Sequence, residues 1–112
     1  MIDSNKLENS ELKKITGGFD ASMIVDELFQ YIQNAETIIQ NVIPSASYKD
    51  KVNYESILSD LSSIKYFINV QNYITAKQNY DLMAQRFNDL ENKPSDLRDV
   101  VDGISFCLSN IS

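Results

Sequence analysis

The sequence contains no histidine, and its single cysteine is Cys107. An intramolecular disulfide therefore cannot form, and the cysteine and histidine ligands of a zinc site are missing. Without histidine, the usual catalytic triads and the commonest acid–base side chain near neutral pH are also absent. No pair of acidic residues stands out from the solvated ones, so we expect a protein that is not an enzyme and that uses neither a metal nor a cofactor.

Long hydrophobic runs are absent as well. No apolar stretch approaches the ~20 residues that a membrane-spanning helix needs. The N-terminus also lacks the apolar core of ~7–15 residues that marks a secretory signal peptide. We therefore expect neither insertion into a membrane nor export by the general secretory route.

Basic residues are too few to balance the acidic ones. The chain has 10 lysines and arginines against 16 acids, which gives a net charge of −6. Residues 1–18 contain three acids and three lysines, Asp3, Glu8, Glu11, Lys6, Lys13 and Lys14, so their charges sum to zero. The whole net charge of −6 therefore belongs to residues 19–112. An acidic chain is repelled by nucleic-acid phosphates and by anionic lipids, and we expect neither as a partner.

Four runs of apolar residues at steps of three and four indicate four amphipathic helices beyond Gly18. Asp20 fits the N-cap of the first helix, whose wide apolar stripe ends at Pro44, and "PSASYKD" is interpreted as a turn. The segment "ENKPSD" ends the third helix, and Ser95 fits the N-cap of the fourth, with Asp96 well placed against the helix dipole. The apolar positions are Ile24, Val25, Leu28, Phe29, Ile32, Ala35, Ile38, Ile39, Val42 and Ile43; Tyr54, Ile57, Leu61, Ile64 and Ile68; Tyr73, Ala76, Tyr80, Met83, Phe87 and Leu90; and Leu97, Val100, Val101, Ile104, Cys107, Leu108 and Ile111.

The boundary between the second and third runs has two interpretations. The step from Ile68 to Tyr73 is five residues, which breaks the helical phase. Since asparagine tolerates turn conformations, we interpret "NVQN" (69–72) as a corner between antiparallel helices. The alternative is one long helix, because Tyr66, Tyr73 and Tyr80 fall seven residues apart.

Amphipathic helices joined by short connections pack most simply as an antiparallel bundle, and no alternating runs indicate strands. We therefore predict an all-α fold with two parts. Residues 19–112 form an antiparallel four-helix bundle, and residues 1–18 form a short helical or flexible leader that precedes it.

Two adjacent glycines, Gly17 and Gly18, follow the charged amphipathic run "LENSELKKIT". The simplest explanation is a glycine that ends a short helix, since glycine suits the left-handed position beyond the last turn and lysines suit the negative end of the dipole. That explanation accounts for one glycine and leaves the second without a role.

The same stretch resembles the double-glycine leader of Gram-positive bacteriocins and related secreted peptides, whose pattern runs Leu-Ser-x-x-Glu-Leu-x-x-Ile-x-Gly-Gly. The residues on pattern positions are Leu7, Glu11, Leu12, Ile15, Gly17 and Gly18. Glu8 stands where serine is usual. The match covers residues 1–18, and its spacing is specific.

The resemblance implies recognition by a peptidase-containing ABC transporter. The transporter would bind the leader as an amphipathic helix through Leu7, Leu12 and Ile15, and its cysteine peptidase would cut after Gly18. Residues without a Cβ atom let an extended backbone pass through a narrow active-site slot. The glycines would then be a substrate site rather than catalytic residues, and the remainder would be secreted.

Residues 19–112 differ from a pore-forming bacteriocin, which is usually short, cationic and rich in glycine contacts, because they are acidic and contain one glycine, Gly103. Their predicted architecture resembles, at that level alone, the helical bundles of bacteriocin immunity proteins. We expect a non-enzymatic accessory protein of a bacteriocin or quorum-sensing locus that is exported and binds an unknown protein partner. Two alternatives stay open: a cytoplasmic immunity-type bundle that retains residues 1–18, and a membrane-active peptide.

Tyrosine is favoured at protein interfaces, and Tyr66, Tyr73 and Tyr80 are the one candidate partner surface in the sequence. The simpler interpretation, which we prefer, is that most tyrosines lie at the rim of the core with the hydroxyl in water. Cys107 lies on an apolar helix face, so we expect a buried, unreactive thiol.

Overall fold

The computed structural model describes residues 21–111. All regular secondary structure in this part of the chain is helical. The α-helices are α1 (Ala21–Val42), α2 (Tyr48–Asn69), α3 (Tyr73–Asn88) and α4 (Ser95–Ser109), with a 3-10 turn at Ile43–Ser45. Residues 21–111 contain no strand. The prediction of an all-α fold with four packed helices is therefore confirmed.

Each helix packs against two neighbours. The α2–α3 and α1–α4 pairs share the most extensive contacts, while α1–α2 and α3–α4 contacts are narrower. Short connections make consecutive helices antiparallel. The start of α1, the α2–α3 connection and the end of α4 therefore share one end of the bundle, here called the corner end (residues 21–27, 66–76 and 104–111). The other two connections form the loop end (residues 41–54 and 88–97).

The predicted apolar stripes form the core. In α1 the centre of the wide stripe is buried, and its flanking residues, such as Val25 and Phe29, are partly buried against the core. Burying a side chain of leucine size contributes about 1.5–3 kcal/mol, so these stripes supply the main stabilisation of the bundle. The buried core residues of the helices include Leu28, Ile32, Ala35, Ile39, Tyr54, Ile57, Leu61, Ile64, Ala76, Met83, Leu97 and Ile104.

The predicted corner at residues 69–72 is confirmed, because α2 ends at Asn69 and α3 begins at Tyr73. Gln71 has a left-handed backbone, with φ of 61°. The amide of Asn72 donates to the carbonyl of Phe67 at 2.8 Å, and the amide of Gln71 donates to Ile68 at 3.0 Å. These two bonds form a Schellman motif, which satisfies carbonyls at the end of α2.

The turn predicted over residues 44–50 is shorter than expected, because α2 already begins at Tyr48. The hydroxyl of Ser47 accepts a hydrogen bond from the backbone amide of Asp50 at 3.2 Å. Such an N-cap satisfies an amide that has no partner within the helix, so the helix starts one residue after Ser47.

The predicted N-cap of α4 is wrong by one residue. The carbonyl of Pro94 accepts from the amide of Arg98 at 3.0 Å, so Pro94 occupies the cap position and Ser95 is the first helical residue. Asp96 lies in the first turn of α4, as predicted. The predicted N-cap of α1, Asp20, lies outside the described residues.

Helices α1 and α4 approach closely at Gly103. A Cβ atom placed on this glycine would lie 2.7 Å from ring carbons of Tyr31. That distance is well inside van der Waals contact, which is about 3.5–4.0 Å between carbon atoms. Because Gly103 has no side chain, the Tyr31 ring can pack directly against α4.

Candidate functional site

The residues of the predicted leader lie outside the described residues; they are Leu7, Glu11, Leu12, Ile15, Gly17 and Gly18. The structure does show the start of the described bundle. Helix α1 begins at Ala21, at the corner end. Residues 1–18 therefore join the bundle at that end through Phe19 and Asp20.

Most of the exposed large apolar side chains lie at the corner end. Their exposed fractions run from 52% to 74%, and the residues are Met23, Tyr66, Val70, Ile74 and Phe106. The loop end exposes Tyr48 and Val52, and Leu82 is exposed on α3. Single exposed apolar residues are ordinary on a soluble protein, and these five stand out because they share one end of the bundle.

Met23 and Phe106 flank a groove between the start of α1 and the end of α4. The groove has a volume of about 340 Å³ and is lined by Met23, Ile24, Glu27, Phe106, Cys107 and Asn110. Ile24 and Cys107 are buried, so they form its floor, while Met23 is 64% and Phe106 61% exposed. An open groove with an apolar floor and apolar walls can accept apolar side chains from another segment.

The thiol of Cys107 is buried in this floor, as predicted. Burial raises the pKa of the Cys107 thiol, and the carboxylate of Glu27 raises that pKa further. Both effects keep the sulfur protonated near neutral pH, and the thiol is a much weaker nucleophile than the thiolate. Cys107 therefore contributes apolar surface to the groove.

The three tyrosines of the predicted partner surface have different environments. Tyr66 is 58% exposed near the end of α2, and its ring packs edge-on against Phe67 with the centroids 5.1 Å apart. Tyr73 is half-buried in the first turn of α3. The hydroxyl of Tyr80 donates to the carbonyl of Val101 on α4 at 3.4 Å, so this side chain packs between helices.

Burial also raises the pKa of the Tyr80 hydroxyl; a hydrogen bond with Ser105 acts in the opposite direction, and the carboxylates of Asp102 and Asp81 add smaller increases. Among residues 21–111, Tyr66 is the one of these three tyrosines whose ring contacts another aromatic ring, that of its neighbour Phe67. A surface formed by all three rings together stays a prediction. Tyr66 is the member that a partner can reach most easily.

The apolar neighbours of Tyr66 at the corner are Val70 and Ile74. Val70 is 52% exposed one helical turn beyond Tyr66, and Ile74 is 74% exposed in the first turn of α3. Both were missed by the sequence analysis, because they are single apolar residues off the core stripes. The signal that could have found them is their position on either side of the predicted corner.

The loop end is closed by a buried carboxylate. Asp50 is 1% exposed. Its two oxygens accept hydrogen bonds from the backbone amides of Glu91 at 2.8 Å and Asn92 at 3.1 Å, in the α3–α4 connection. The hydroxyl of Ser47 donates to the carboxylate of Glu91 at 3.0 Å. These bonds fasten the α3–α4 connection to the start of α2.

Tyr54 extends the same network. Its hydroxyl donates to the carbonyl of Asn92 at 3.5 Å. Burial raises the pKa of the Tyr54 hydroxyl, and the carboxylates of Asp50 and Asp96 raise it further. A neutral hydroxyl is thereby maintained beside two acidic groups. Every group in the network has a structural partner, so we assign it to stability rather than to binding.

Within residues 21–111, two ion pairs connect neighbouring helices. The guanidinium of Arg86 on α3 donates to the carboxylate of Asp60 on α2 at 2.9 Å, and the ammonium of Lys65 on α2 lies 3.2 Å from that of Glu36 on α1. Both cationic side chains are about two-fifths exposed. The carboxylate of Asp60 is buried, whereas the Lys65–Glu36 pair is partly exposed on both sides. An exposed pair contributes about 0–1 kcal/mol, so Lys65–Glu36 adds little to stability.

Within residues 21–111, no helix combines the length and the hydropathy that a membrane span requires. The same residues contain no cluster of three histidine, cysteine or acidic side chains that could hold a metal ion. Comparisons with protein-family models, curated proteins and solved structures give no match to this chain.

Proposed function

We propose that the chain is the precursor of an exported, non-enzymatic accessory protein of a bacteriocin or quorum-sensing locus. A peptidase-containing ABC transporter recognises residues 1–18 and cuts after Gly18. The released bundle acts by binding a protein partner. The observation that carries this proposal is the spacing of the leader-like residues, with Leu7, Leu12 and Ile15 followed by Gly17 and Gly18.

The position of the bundle supports the cut. The first described helix starts at Ala21, so cleavage after Gly18 removes no residue of α1, α2, α3 or α4. It also removes no net charge, since the charges of residues 1–18 sum to zero. The released part would therefore keep its core and its acidic surface.

The corner end supplies the best surface for the partner. Tyr66, Val70 and Ile74 are each more than half exposed on the two sides of the α2–α3 corner. The left-handed corner at Gln71 is fixed by two backbone hydrogen bonds, so the patch sits on a rigid support. Rigid aromatic and aliphatic anchors lose little entropy on binding, which favours a protein interface here.

The processing step can be tested in a Gram-positive host that expresses a peptidase-containing transporter of the double-glycine class. We expect intact-mass analysis of the supernatant to give a product that starts at Phe19. Gly18→Val is expected to remain inside the cell at full length, because a branched side chain does not fit a slot built for two glycines.

The matched control is Asn9→Val, which adds the same side chain at a position outside the leader pattern and is expected to leave export intact. A secreted product that starts at Met1, or normal cleavage of Gly18→Val, contradicts the proposed processing. Full-length wild type retained in cells with an active transporter favours the cytoplasmic immunity-type alternative.

A further inference from the structure

We propose that the groove between the start of α1 and the end of α4 binds a basic amphipathic helix of another protein. Apolar side chains of that helix enter between Met23 and Phe106, and its lysines or arginines lie beside Glu27 and Asp99. This inference rests on the part of the proposed function in which the bundle binds a protein, and it adds a second site and the charge of the partner. It does not depend on export.

The groove has the lining of a site for a helix. Its volume is about 340 Å³, its floor contains the buried residues Ile24 and Cys107, and its walls are Met23 and Phe106, each more than 60% exposed. Grooves of this kind receive apolar side chains that lie three and four residues apart along one face of a bound helix. Removal of the apolar walls from water favours such binding.

The net charge of the bundle lies on the two helices that form this groove. Helices α1 and α4 together contain six acidic residues and one basic residue, whereas α2 and α3 together contain four acidic and five basic residues. The α1–α4 pair therefore has a net charge of −5, and the α2–α3 pair has a net charge of +1. The acidic residues of the first pair are Asp26, Glu27, Glu36, Asp96, Asp99 and Asp102. A ligand that approaches the groove meets a negative potential.

Two of these acids are exposed along the line where α1 meets α4. Glu27 lines the groove, and Asp99 lies seven residues before Phe106, which is two helical turns and places both on the same face of α4. The ring of Tyr31, packed against Gly103, lies between the two acids. Since a helix rises about 1.5 Å per residue, an occupant of about three turns can reach from the groove to Asp99.

Neither Glu27 nor Asp99 has a cationic partner within residues 21–111, where the two ion pairs use other carboxylates. The one basic residue of α1 and α4 is Arg98, and it is directed toward α3. Its guanidinium carbon lies 5.8 Å from the centre of the Phe87 ring. The charges of both acids are therefore available to a basic ligand.

Charge selects a basic helix over other occupants of the groove. A second copy of the chain would bring its own net charge of −6, and anionic lipids and nucleic acids are repelled for the same reason. A helix with one apolar face and one basic face instead matches both features of the site, the apolar groove and the acids beside it.

The probe is a fluorescein-labelled peptide of about 18 residues, a length at which an isolated helix can form. It has leucine at every third or fourth position along one face, and lysine and alanine elsewhere. A matched peptide has glutamate in place of each lysine. Fluorescence anisotropy measures binding to the purified full-length chain at low and at physiological salt. We expect the lysine peptide to bind about tenfold or more tightly than the glutamate peptide, with a smaller difference at higher salt.

The apolar walls are tested by Met23→Ser with Phe106→Ser. We expect the affinity for the lysine peptide to fall about tenfold or more, because both anchors are removed. The matched control is Val70→Ser with Ile74→Ser, which removes exposed apolar surface from the α2–α3 corner and should bind as wild type. If circular dichroism shows that the groove variant has lost helix, Met23→Gln replaces it, with an expected loss of about threefold and Leu82→Gln as control.

The charges are tested by Glu27→Gln with Asp99→Asn. We expect about fivefold weaker binding at low salt and a smaller dependence on salt, because two attractive charges are removed from the site. The matched control is Glu55→Gln with Asp81→Asn, which removes the same charge from exposed positions on α2 and α3. Its affinity should change by less than about twofold.

The inference is overturned by equal affinity of the lysine and glutamate peptides, by the absence of binding, or by wild-type affinity in the Met23 and Phe106 variant. Self-association of the chain that this variant abolishes would assign the groove to a second copy and also overturn it. Loss of binding only in the Val70 and Ile74 variant overturns the groove site and leaves the proposed protein binding at the corner intact. Export is measured separately by the mass of the secreted product, so its failure leaves this site unaffected.

Discussion

The two ends of the bundle are built from different chemistry. At the loop end, the buried carboxylate of Asp50 accepts two backbone amides from the α3–α4 connection, and Ser47 and Tyr54 add further hydrogen bonds. At the corner end, Tyr66, Val70, Ile74, Met23 and Phe106 leave apolar surface in water. The first arrangement uses its polar groups internally, and the second leaves apolar side chains exposed, where we propose that a partner binds.

The difference separates a hydrogen-bonded end that supports stability from the end where we propose that a partner binds. A buried carboxylate with two amide donors is costly to disturb, since its removal leaves donors without partners. Exposed apolar side chains cost little to replace, because the folded and unfolded chains expose them to a similar degree. Substitutions at the two ends are therefore expected to differ in their effect on unfolding.

The largest effect is expected for Asp50→Ala. This change leaves the amides of Glu91 and Asn92 without their acceptor, and we expect the free energy of unfolding to fall by about 3 kcal/mol. Urea unfolding followed by circular dichroism at 222 nm measures it. The control is Asp89→Ala, an exposed carboxylate on the same connection, which is expected to stay within about 0.5 kcal/mol of wild type. Equal stability of the two variants would remove the distinction between the ends.

The next largest effect on stability is expected between α1 and α4, which both run the length of the bundle from the loop end to the corner end. Gly103→Ala places a methyl group against the ring of Tyr31, and we expect a loss of about 1–2 kcal/mol in the free energy of unfolding. In a Tyr31→Ala background the same change should instead add about 1 kcal/mol, because only the higher helix propensity of alanine remains. A loss in both backgrounds would show that the Tyr31 ring is not the cause.

A smaller effect is expected at alkaline pH. The pKa of Tyr54 is raised in the folded state above its ordinary value of 10.0, so its contribution to stability is complete below pH 10.0 and is lost as pH rises from there through the raised pKa of the folded state. Tyr54→Phe should therefore lose less stability than wild type between about pH 9 and pH 11. Thermal unfolding at both pH values measures this difference. Tyr48→Phe, at an 83% exposed residue, is the control and should behave as wild type.

The smallest effect is expected at the corner end. Val70→Ser with Ile74→Ser should change the free energy of unfolding by no more than about 0.5 kcal/mol, because both side chains are exposed. The control Ile68→Ser, at a buried neighbour on α2, should cost several times more. Urea unfolding compares the two variants. A large loss in the exposed pair would indicate that the corner surface supports the core rather than a partner.

Sequence periodicity predicted the helices well because burial on one face requires it. The corner at 69–72 followed from a single five-residue step between Ile68 and Tyr73. That corner also explains why the seven-residue spacing of Tyr66, Tyr73 and Tyr80 does not place them on one helix face. Tyr66 belongs to α2, whereas the other two belong to α3.

The loop end could not be predicted from local sequence. Asp50 lies between Lys49 and Lys51, which is typical of a solvated helix start. Its partners are backbone amides about 40 residues away, and backbone groups carry no residue signature. The cap of α4 at Pro94 was missed for a related reason, since a carbonyl rather than a side chain defines it.

The order in which the helices pair during folding affects how the bundle responds to a pulling force. Helices α2 and α3 are adjacent in sequence, with the corner at one end and the Asp50 bonds at the other, whereas α1 pairs with α4 across the whole chain. Local pairings form faster than distant ones, so the α2–α3 hairpin should assemble first and the α1–α4 seam last. A pulling force on the N-terminus, such as the proposed transporter would apply, then acts on the α1–α4 contact, which forms last. Such a force would separate α1 from α4 while the α2–α3 hairpin stays folded.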